Sequence, residues 1–351
     1  MMGSLYKYGI CGHFGNGFEL LNGQTIKTKI VTEELEKALG KDQILKVDSH
    51  NWKSNPLRLV IKCYLLVKRC ENVVVLPAHN GVKVFIPLFL ILNMIFHKRL
   101  HYVLIGGWLP QLLKSNAWLI KKVSSFNGVY VETNSVIENL NKLGINNTYL
   151  LTNFKRLQIL CENYLNFDIC TPHKLCTFSR VTDMKGIEDA VEVVKRINEN
   201  TGDIVYSLDI YGPIDQDYQI RFNTIKEAFP DYIQYKGSIG FNDSVDTLRN
   251  YFLLLFPTRY QTEGIPGTII DAYAAGLPVV ASEWNSAREI VTDNETGYVY
   301  KFMSNEELEG CLLRIMKDPN AVISMKPNCL RKAKQYSPET VIEKFIKDTI
   351  Q

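Results

Sequence analysis

The sequence lacks an uninterrupted run of about twenty apolar residues, the length that a membrane-spanning helix requires. Its longest apolar run, Val84–Phe96, is interrupted by Pro87 and Asn93. We expect this run to form a buried helix of an N-terminal domain. The alternative is a helix that rests on a membrane, because a histidine and two cations follow it at residues 97–99.

The sequence also lacks the cysteine patterns of metal sites. None of the eight cysteines forms a Cys-x-x-Cys pair or has histidines at zinc-ligand spacing, so no metal is expected. In a chain of 351 residues they are typical of reduced thiols in a cytoplasmic protein. The first eleven residues lack the basic start and apolar stretch of a secretion signal, and we expect none. No cofactor is expected either.

The sequence has little net charge, +3, but that charge is unevenly distributed. Residues 1–170 carry +9 and residues 171–351 carry −6. The length favours two domains of roughly 150 residues each, and the charge difference suggests that they face different partners. The basic residues are spread out and lack interleaved aromatics on a recognisable module, which argues against a nucleic-acid partner.

Short apolar strands alternate with helical patterns along both halves, which predicts an α/β protein with two Rossmann-like, doubly wound domains facing a cleft. We place the N-terminal domain at residues 1–160 and the C-terminal domain at 172–337, with a C-terminal helix, 338–351, joining the first domain. Ligands of such folds bind at the carboxyl ends of strands, so we expect a site in the cleft. The clearest predicted strands are 73–76, 102–105, 128–132, 175–179, 206–211, 253–256 and 279–281, and the clearest helices are 28–39, 187–198 and 267–275.

The stretch 253–282 carries the strongest functional signal. A buried strand ends at Phe256, a loop containing Glu263 follows, and a helix begins near Gly267. Free backbone N–H groups at such a helix start attract phosphate. The carboxylates of Glu263 and Asp271 lie on either side and could accept hydrogen bonds from sugar hydroxyls. The expected donor-binding residues of this segment, besides these two acids, are Gly264, Ile265, Pro266, Gly267 and Thr268.

A second cluster follows the first strand of the C-terminal half and contains Arg180 and Lys185. Two cations at a strand end would neutralise a diphosphate leaving group. The alternative is a pair of solvated loop cations. Asp215 and Asp217, further on, resemble a metal-binding acid pair, but we interpret them as a solvated turn.

Together these residues resemble the C-terminal half of the family-4, or group 1, retaining glycosyltransferases of GT-B fold. The family pattern is a Glu and a second Glu eight positions later, preceded by an Arg…Lys-Gly segment. Glu263, Arg180 and Lys185 match it, whereas Asp271 stands in place of the second Glu. The resemblance implies that the basic pair binds the donor diphosphate, Glu263 touches the transferred sugar and Asp271 binds the ribose. It covers residues 177 to about 300 and includes the Tyr211-Gly212-Pro213 turn, so Gly212 is counted among the expected donor-binding residues.

The N-terminal half carries weaker signals. Residues 22–28 look like the donor-facing glycine loop of enzymes that build bacterial surface polysaccharides, in which Gly23 would let the backbone approach a phosphate. Lys27 could contact that phosphate or the acceptor side. The glycine-rich residues 12–17 are equally consistent with an ordinary turn. His79 is the nearest match to the family's N-domain histidine, and we interpret it as a loop residue near the acceptor.

The expected function is transfer of a sugar from a nucleotide-diphosphate sugar, with UDP as the expected nucleotide, to an acceptor hydroxyl with retention of configuration. The expected acceptor is a lipid-linked or free oligosaccharide of surface polysaccharide synthesis, because the +9 half suits an anionic membrane surface. Two alternatives remain at this point. One is a nucleotide-sugar 2-epimerase of the same fold, and the other is a non-catalytic subunit that binds a nucleotide sugar.

Overall fold

A computed structural model of the protein describes residues 6–15, 17, 23–156 and 158–350. The chain divides into two compact units. Unit 1 comprises residues 1–155 together with 338–351, and unit 2 comprises residues 156–337. Each unit contains one parallel six-stranded sheet with helices, so the predicted α/β architecture of two Rossmann-like, doubly wound domains is confirmed.

The sheet of unit 1 has the strand order β2-β1-β3-β4-β5-β6. Its strands are rich in β-branched and aromatic residues, and the central ones are buried on both faces, as parallel sheets require. Because β2 and β3 lie on opposite sides of β1, the strand order reverses at β1. The strands are β1 (Tyr6–Gly12), β2 (Ile44–Asp48), β3 (Cys70–Leu76), β4 (Arg99–Val103), β5 (Gly128–Val131) and β6 (Thr148–Leu150).

Helices cover both faces of this sheet, and the last helix of the chain packs against it. The rings of Phe345 on that helix and Tyr130 on β5 meet edge to face, with centroids 4.7 Å apart. Residues 338–350 are therefore part of the core of unit 1. The helices are α1 (Gly23–Leu39), α2 (Pro56–Arg69), α3 (Val82–Phe96), α4 (Leu109–Lys114), α5 (Trp118–Ser124), α6 (Asn134–Asn141) and, at the end of the chain, α14 (Pro338–Ile350).

The long apolar run forms α3, but the expectation that this helix is buried was only half right. Phe85, Ile86 and Phe89 are buried in the core, whereas Met94 and Ile95 are 73% and 67% exposed. A helix that is apolar on every side has no sequence contrast to mark its outer face. Among the described residues, no helix has the length and apolar character needed to cross a bilayer.

The sheet of unit 2 has the order β12-β11-β10-β7-β8-β9, the arrangement of dinucleotide-binding folds. Its strands are β7 (His173–Phe178), β8 (Tyr206–Tyr211), β9 (Ile233–Gly237), β10 (Leu253–Phe256), β11 (Val279–Ser282) and β12 (Gly297–Tyr300). Its helices are α7 (Ile187–Thr201), α8 (Gln219–Glu227), α9 (Ser244–Leu248), α10 (Gly267–Ala274), α11 (Ala287–Ile290), α12 (Asn305–Lys317) and α13 (Pro319–Ala333).

Candidate functional site

The predicted donor-binding residues of unit 2 lie where its strand order reverses. β7 and β10 are neighbours, but the chain continues from β7 to β8 on one side and from β10 to β11 on the other. In doubly wound sheets, ligands bind outside the carboxyl ends of the strands at such a point. Arg180 and Lys185 follow β7, and Glu263 follows β10. The structure therefore brings the two predicted segments together at the ligand-binding edge of the sheet.

Lys185 and Glu263 are bonded to each other across these two loops. The Lys185 ammonium donates to Oε1 of Glu263, and the Thr258 hydroxyl donates to the same oxygen at 3.3 Å. Lys185 Nζ also lies 5.2 Å from the ring centre of Phe256 and 5.4 Å from that of Tyr260. The Lys185 and Glu263 side chains keep 19% and 17% exposure, so a ligand can reach both from solvent.

Arg180 is the more open of the two predicted cations. Its side chain is 53% exposed, and its guanidinium lies 3.6 Å from a carboxylate oxygen of Asp215. The other oxygen of Asp215 accepts the backbone N–H of Asp217 at 3.4 Å in a short 3₁₀ turn. An exposed ion pair at this distance contributes little free energy, so Arg180 can exchange Asp215 for a phosphate.

The start of α10 lies directly after the Glu263 loop. Residues 264–266 are buried, and Gly267 and Thr268 begin the helix. No side chain caps this helix start, and its first turn contains no acidic residue. The Thr268 hydroxyl donates to the carbonyl of Phe178, which fixes the helix start against the end of β7. The N–H groups of the first turn can therefore bind an anion at the carboxyl end of the sheet.

Two other predicted donor residues have clear positions. Asp271 lies on α10 and is 3% exposed. The ribose contact that the resemblance implies would require this carboxylate to become accessible, and it stays a prediction. Gly212 follows β8 with φ +132°, and a Cβ there would lie 1.9 Å from the carbonyl oxygen of Ser179. Glycine is therefore required for the loop after β8 to pack against the loop after β7.

Arg259, in the loop after β10, was missed by the sequence analysis. Its guanidinium makes ion pairs with Asp183 and Asp189, both of which follow β7. The nearest signal in the sequence is that Arg259 lies three residues after the buried strand β10. Its partners could not be identified, because they lie 70 and 76 residues earlier in the chain.

In unit 1, Lys27 is not open to a ligand. It is 4% exposed, and its ammonium donates to Oε1 of Glu132 at 2.5 Å. The predicted contact with phosphate or acceptor would require this buried ion pair to open. Gly23 is the first residue of α1, and no described atom lies within 4 Å of where its Cβ would be. Of the predicted glycine loops 12–17 and 22–28, residues 16 and 22 lie outside the described residues.

His79 lies in the loop after β3, beside the strand at which the order of unit 1 reverses. Its ring is exposed and meets the ring of Trp108 edge to face, with centroids 4.9 Å apart. Nδ1 lies 3.4 Å from the side-chain oxygen of Asn80. The position suits a ligand of unit 1, and the acceptor-side role of His79 stays a prediction.

The sequence analysis also missed a pair of histidines at the ends of β1 and β2. Nδ1 of His50 lies 3.0 Å from Nε2 of His13, whose Nδ1 lies 2.7 Å from the hydroxyl of Thr25. Asp48 accepts the backbone N–H groups of Phe14 and His50 and fixes both loops. Burial and the neighbouring His50 lower the pKa of His13. The sequence feature that could have indicated this pair is that each histidine follows shortly after a strand.

The chain is similar in sequence to known glycosyltransferases. The sequence profile described as "Glycosyl transferases group 1" matches residues 170–335. Over 159 residues the chain is 26% identical to the amylovoran biosynthesis glycosyltransferase AmsK of Erwinia amylovora, covering 43% of this chain and 38% of that protein. Over 182 residues it is 26% identical to the poly(glycerol-phosphate) alpha-glucosyltransferase of Bacillus subtilis, covering 49% and 25%. The chain thus spans well under half the length of these curated relatives.

Among solved structures, Anabaena HepE in complex with UDP and glucose aligns over 97% of this chain and 98% of its own, with a TM-score of 0.73 and 13% identity. This likeness confirms the GT-B fold of paired Rossmann-like domains that the resemblance implied. Residues 170–335 match the profile of the group 1 glycosyl transferases, and the likeness to the Anabaena protein gives the chain the same fold.

Proposed function

We propose that this protein transfers a sugar from a UDP-sugar to an acceptor hydroxyl with retention of configuration. The observation that carries the proposal is the convergence of Arg180, Lys185 and Glu263 with an uncapped helix start at the point where the strand order of unit 2 reverses. UDP is supported by the UDP and glucose bound to the similar Anabaena protein.

The charges in this site suit a diphosphate leaving group. The guanidinium of Arg180 can bind two phosphate oxygens in a bidentate manner, whereas the ammonium of Lys185 acts as a point charge. Together with the N–H groups of the α10 start, they would stabilise negative charge as the bond to the sugar breaks, which is usually the largest catalytic contribution. Lys185 would turn from Glu263 toward the diphosphate, and Glu263 would then be free to accept a hydrogen bond from the sugar. We propose that this stabilisation needs no metal ion.

The direct test is product analysis with a panel of nucleotide sugars and an oligosaccharide acceptor. We expect a UDP-sugar to be consumed with formation of a glycoside, also in the presence of a chelator. Replacing one donor to a developing oxyanion typically costs about 10²- to 10³-fold in kcat, and we expect Lys185→Ala to fall in that range. Glu263→Gln should also lose transfer.

The same panel separates the two alternatives that the sequence left open. A 2-epimerase would convert the UDP-sugar to its epimer without an acceptor. A non-catalytic subunit would bind the nucleotide sugar but leave both substrate and acceptor unchanged. Either result would contradict the proposal.

We further propose that the acceptor is linked to lipid at an anionic membrane surface. Exposed apolar side chains on two neighbouring helices of unit 1 support this: Ile61 and Leu65 of α2, and Met94 and Ile95 of α3. The ring centres of Tyr64 and Phe96 are 5.3 Å apart, which joins the two helices. Exposed apolar patches of this kind mark interaction sites.

Cations lie on or beside the two helices of this apolar face. Lys62 and Lys68 lie on α2, and Lys98 follows α3. Apolar side chains bordered by cations suit the interface of an anionic bilayer. AmsK, the relative from Erwinia amylovora, is described by its role in amylovoran biosynthesis, and we propose an analogous role in building a surface polysaccharide.

A further inference from the structure

We propose that Arg259 is a positioning residue that fixes the two donor-binding loops of unit 2 relative to each other. This inference rests on the proposed function, since it concerns the same site. It adds a residue that does not itself contact the donor. This residue would keep Lys185 and Glu263 in the positions that donor binding requires.

Arg259 connects the loop after β10 to the segment after β7 through both its side chain and its backbone. Its Nε and Nη2 donate to the two carboxylate oxygens of Asp189 at 3.0 and 2.7 Å, and its Nη1 donates to Asp183 at 2.7 Å. Its backbone N–H donates to the carbonyl of Met184 at 2.9 Å. A bidentate guanidinium–carboxylate pair fixes the relative orientation of the two side chains as well as their distance.

The partners of Arg259 flank the predicted phosphate ligand Lys185. Asp183 and Lys185 belong to the same short 3₁₀ turn, and Asp189 lies in the first turn of α7. On the other loop, Glu263 lies four residues after Arg259. The ion pairs of Arg259 therefore run parallel to the Lys185–Glu263 contact and join the same two loops.

Arg259 is poorly placed to bind phosphate itself. Its side chain is 23% exposed, against 53% for Arg180, and its guanidinium already faces two carboxylates. Asp189, with 13% of its side chain exposed, keeps that contact largely out of water. The Arg259 charge is thus balanced within the protein, whereas Arg180 remains open to a ligand.

This connection matters most when the donor is bound. In the structure, Lys185 and Glu263 are bonded to each other. In the proposed mechanism both turn toward the donor, so their mutual bond weakens at the moment when their separation must be correct. The Arg259 ion pairs are not used by the donor and keep the loops together through that step.

The test compares Arg259→Gln with Arg288→Gln, a matched control. Arg288 lies in the same unit and also pairs with two carboxylates, those of Glu283 and Asp293, but outside the two loops. UDP and UMP affinities are measured by calorimetry for wild type and both variants. We expect Arg259→Gln to weaken UDP binding by about tenfold or more and UMP binding much less, since the effect is on the diphosphate loops. Arg288→Gln should match wild type for both ligands.

Asp183→Asn, Asp189→Asn and Arg259→Lys keep the inference testable if Arg259→Gln folds poorly, and a double variant adds a further test if it folds. Asp183→Asn removes only the half-exposed partner and should weaken UDP binding less than Asp189→Asn does. In the Arg259→Gln/Asp189→Asn double variant, the losses should not add, because both changes remove the same contact. Arg259→Lys keeps the charge without the fork and should recover only part of the affinity.

The outcomes separate the inference from the proposed function. If wild type and Arg288→Gln bind UDP and Arg259→Gln binds it equally well, the positioning role is wrong. A parallel loss of UDP and UMP affinity would likewise reduce Arg259 to a general structural role and overturn it. If wild type binds no nucleotide, the proposed function itself fails.

Discussion

Lys185 and Glu263 are the central pair of charges in the proposed donor site. Each neutralises the other, and both side chains stay partly accessible. The partners of the other conspicuous lysine, Lys27, could not be foreseen, because Glu132 is 105 residues away in the chain. Sequence patterns identify a cation near a strand end, but they do not reveal whether a distant carboxylate buries it. The presence or absence of such a carboxylate decides whether the cation can bind a ligand or is held in an internal ion pair.

His101 gives a prediction at the residue scale. This histidine of β4 is buried, and burial, assisted by Arg99, lowers its pKa to about 4. Its Nε2 lies 3.2 Å from the side-chain oxygen of Asn72. Because the pKa is about 6.5 when the chain is unfolded, the unfolded state binds more protons between pH 6.5 and 4. The free energy of unfolding should therefore fall through this range, by on the order of 3 kcal/mol in total from His101.

Denaturant unfolding between pH 7.5 and 4 checks this prediction. His101→Gln should flatten the decline, because glutamine does not titrate. The matched control is His97→Asn, since His97 is an exposed histidine of the same unit at a left-handed position that asparagine tolerates. An equal pH dependence in wild type and His101→Gln would contradict the assignment.

At the scale of elements, the proposed donor site depends on close packing between the segments that follow β7 and β10. Gly186 adopts φ +64° at the start of α7, and a Cβ there would lie 2.0 Å from the carbonyl oxygen of Pro257. A carbonyl oxygen of the backbone cannot move aside as a flexible side chain can. The loop with Lys185 and the loop with Glu263 can therefore approach only because residue 186 is glycine.

We expect Gly186→Ala to destabilise the protein and to weaken UDP binding. Gly202→Ala is the matched control, because Gly202 has φ +74° at the end of the same helix with no described atom within 4 Å of its Cβ position. The control should lose only the cost of the left-handed conformation, about 1–2 kcal/mol, and should keep its UDP affinity. Thermal unfolding and calorimetry measure both. Equal losses of stability in the two variants would contradict the packing argument.

The sequence predicted best the elements whose buried residues are apolar and whose ends are marked by turn residues. Strands β8 and β10 begin and end as predicted, at 206–211 and 253–256. The start of α10 at Gly267 was also predicted, because glycine and proline mark the turn before it. α1 instead begins at Gly23, five residues before its predicted start, since polar residues such as Thr25 are buried there. Arg259 and the His13–His50 pair escaped prediction because contacts between distant segments define them.

At the scale of the whole molecule, the uneven charge has a structural counterpart. The +9 half of the chain contains the apolar face of α2 and α3 with its cations, and the −6 half contains the proposed donor site. A few local cations, Arg180 and Lys185 among them, define that site despite the acidic balance around it. The positions of individual charged residues therefore indicate the binding partner of a surface better than the net charge of its half of the chain does.

We expect the protein to sediment with vesicles that contain anionic lipid, and less so at high salt, because salt screens the cations. Met94→Glu/Ile95→Glu should abolish sedimentation by placing acidic groups on the apolar face. The matched control is Ile220→Glu on α8 of unit 2, since Ile220 is 86% exposed and lies in the other unit. Sedimentation that survives Met94→Glu/Ile95→Glu but is lost in Ile220→Glu would place the membrane surface elsewhere.

The central claim is that unit 2 holds a nucleoside diphosphate between the loops after β7 and β10. Calorimetric titration of UDP into wild type, Arg180→Gln and Arg288→Gln tests it most directly. We predict saturable binding to wild type, unchanged binding to Arg288→Gln, and at least about a tenfold loss in Arg180→Gln, as expected for a charge-assisted contact to phosphate. Absence of binding to wild type, or equal affinity in Arg180→Gln, would contradict the account.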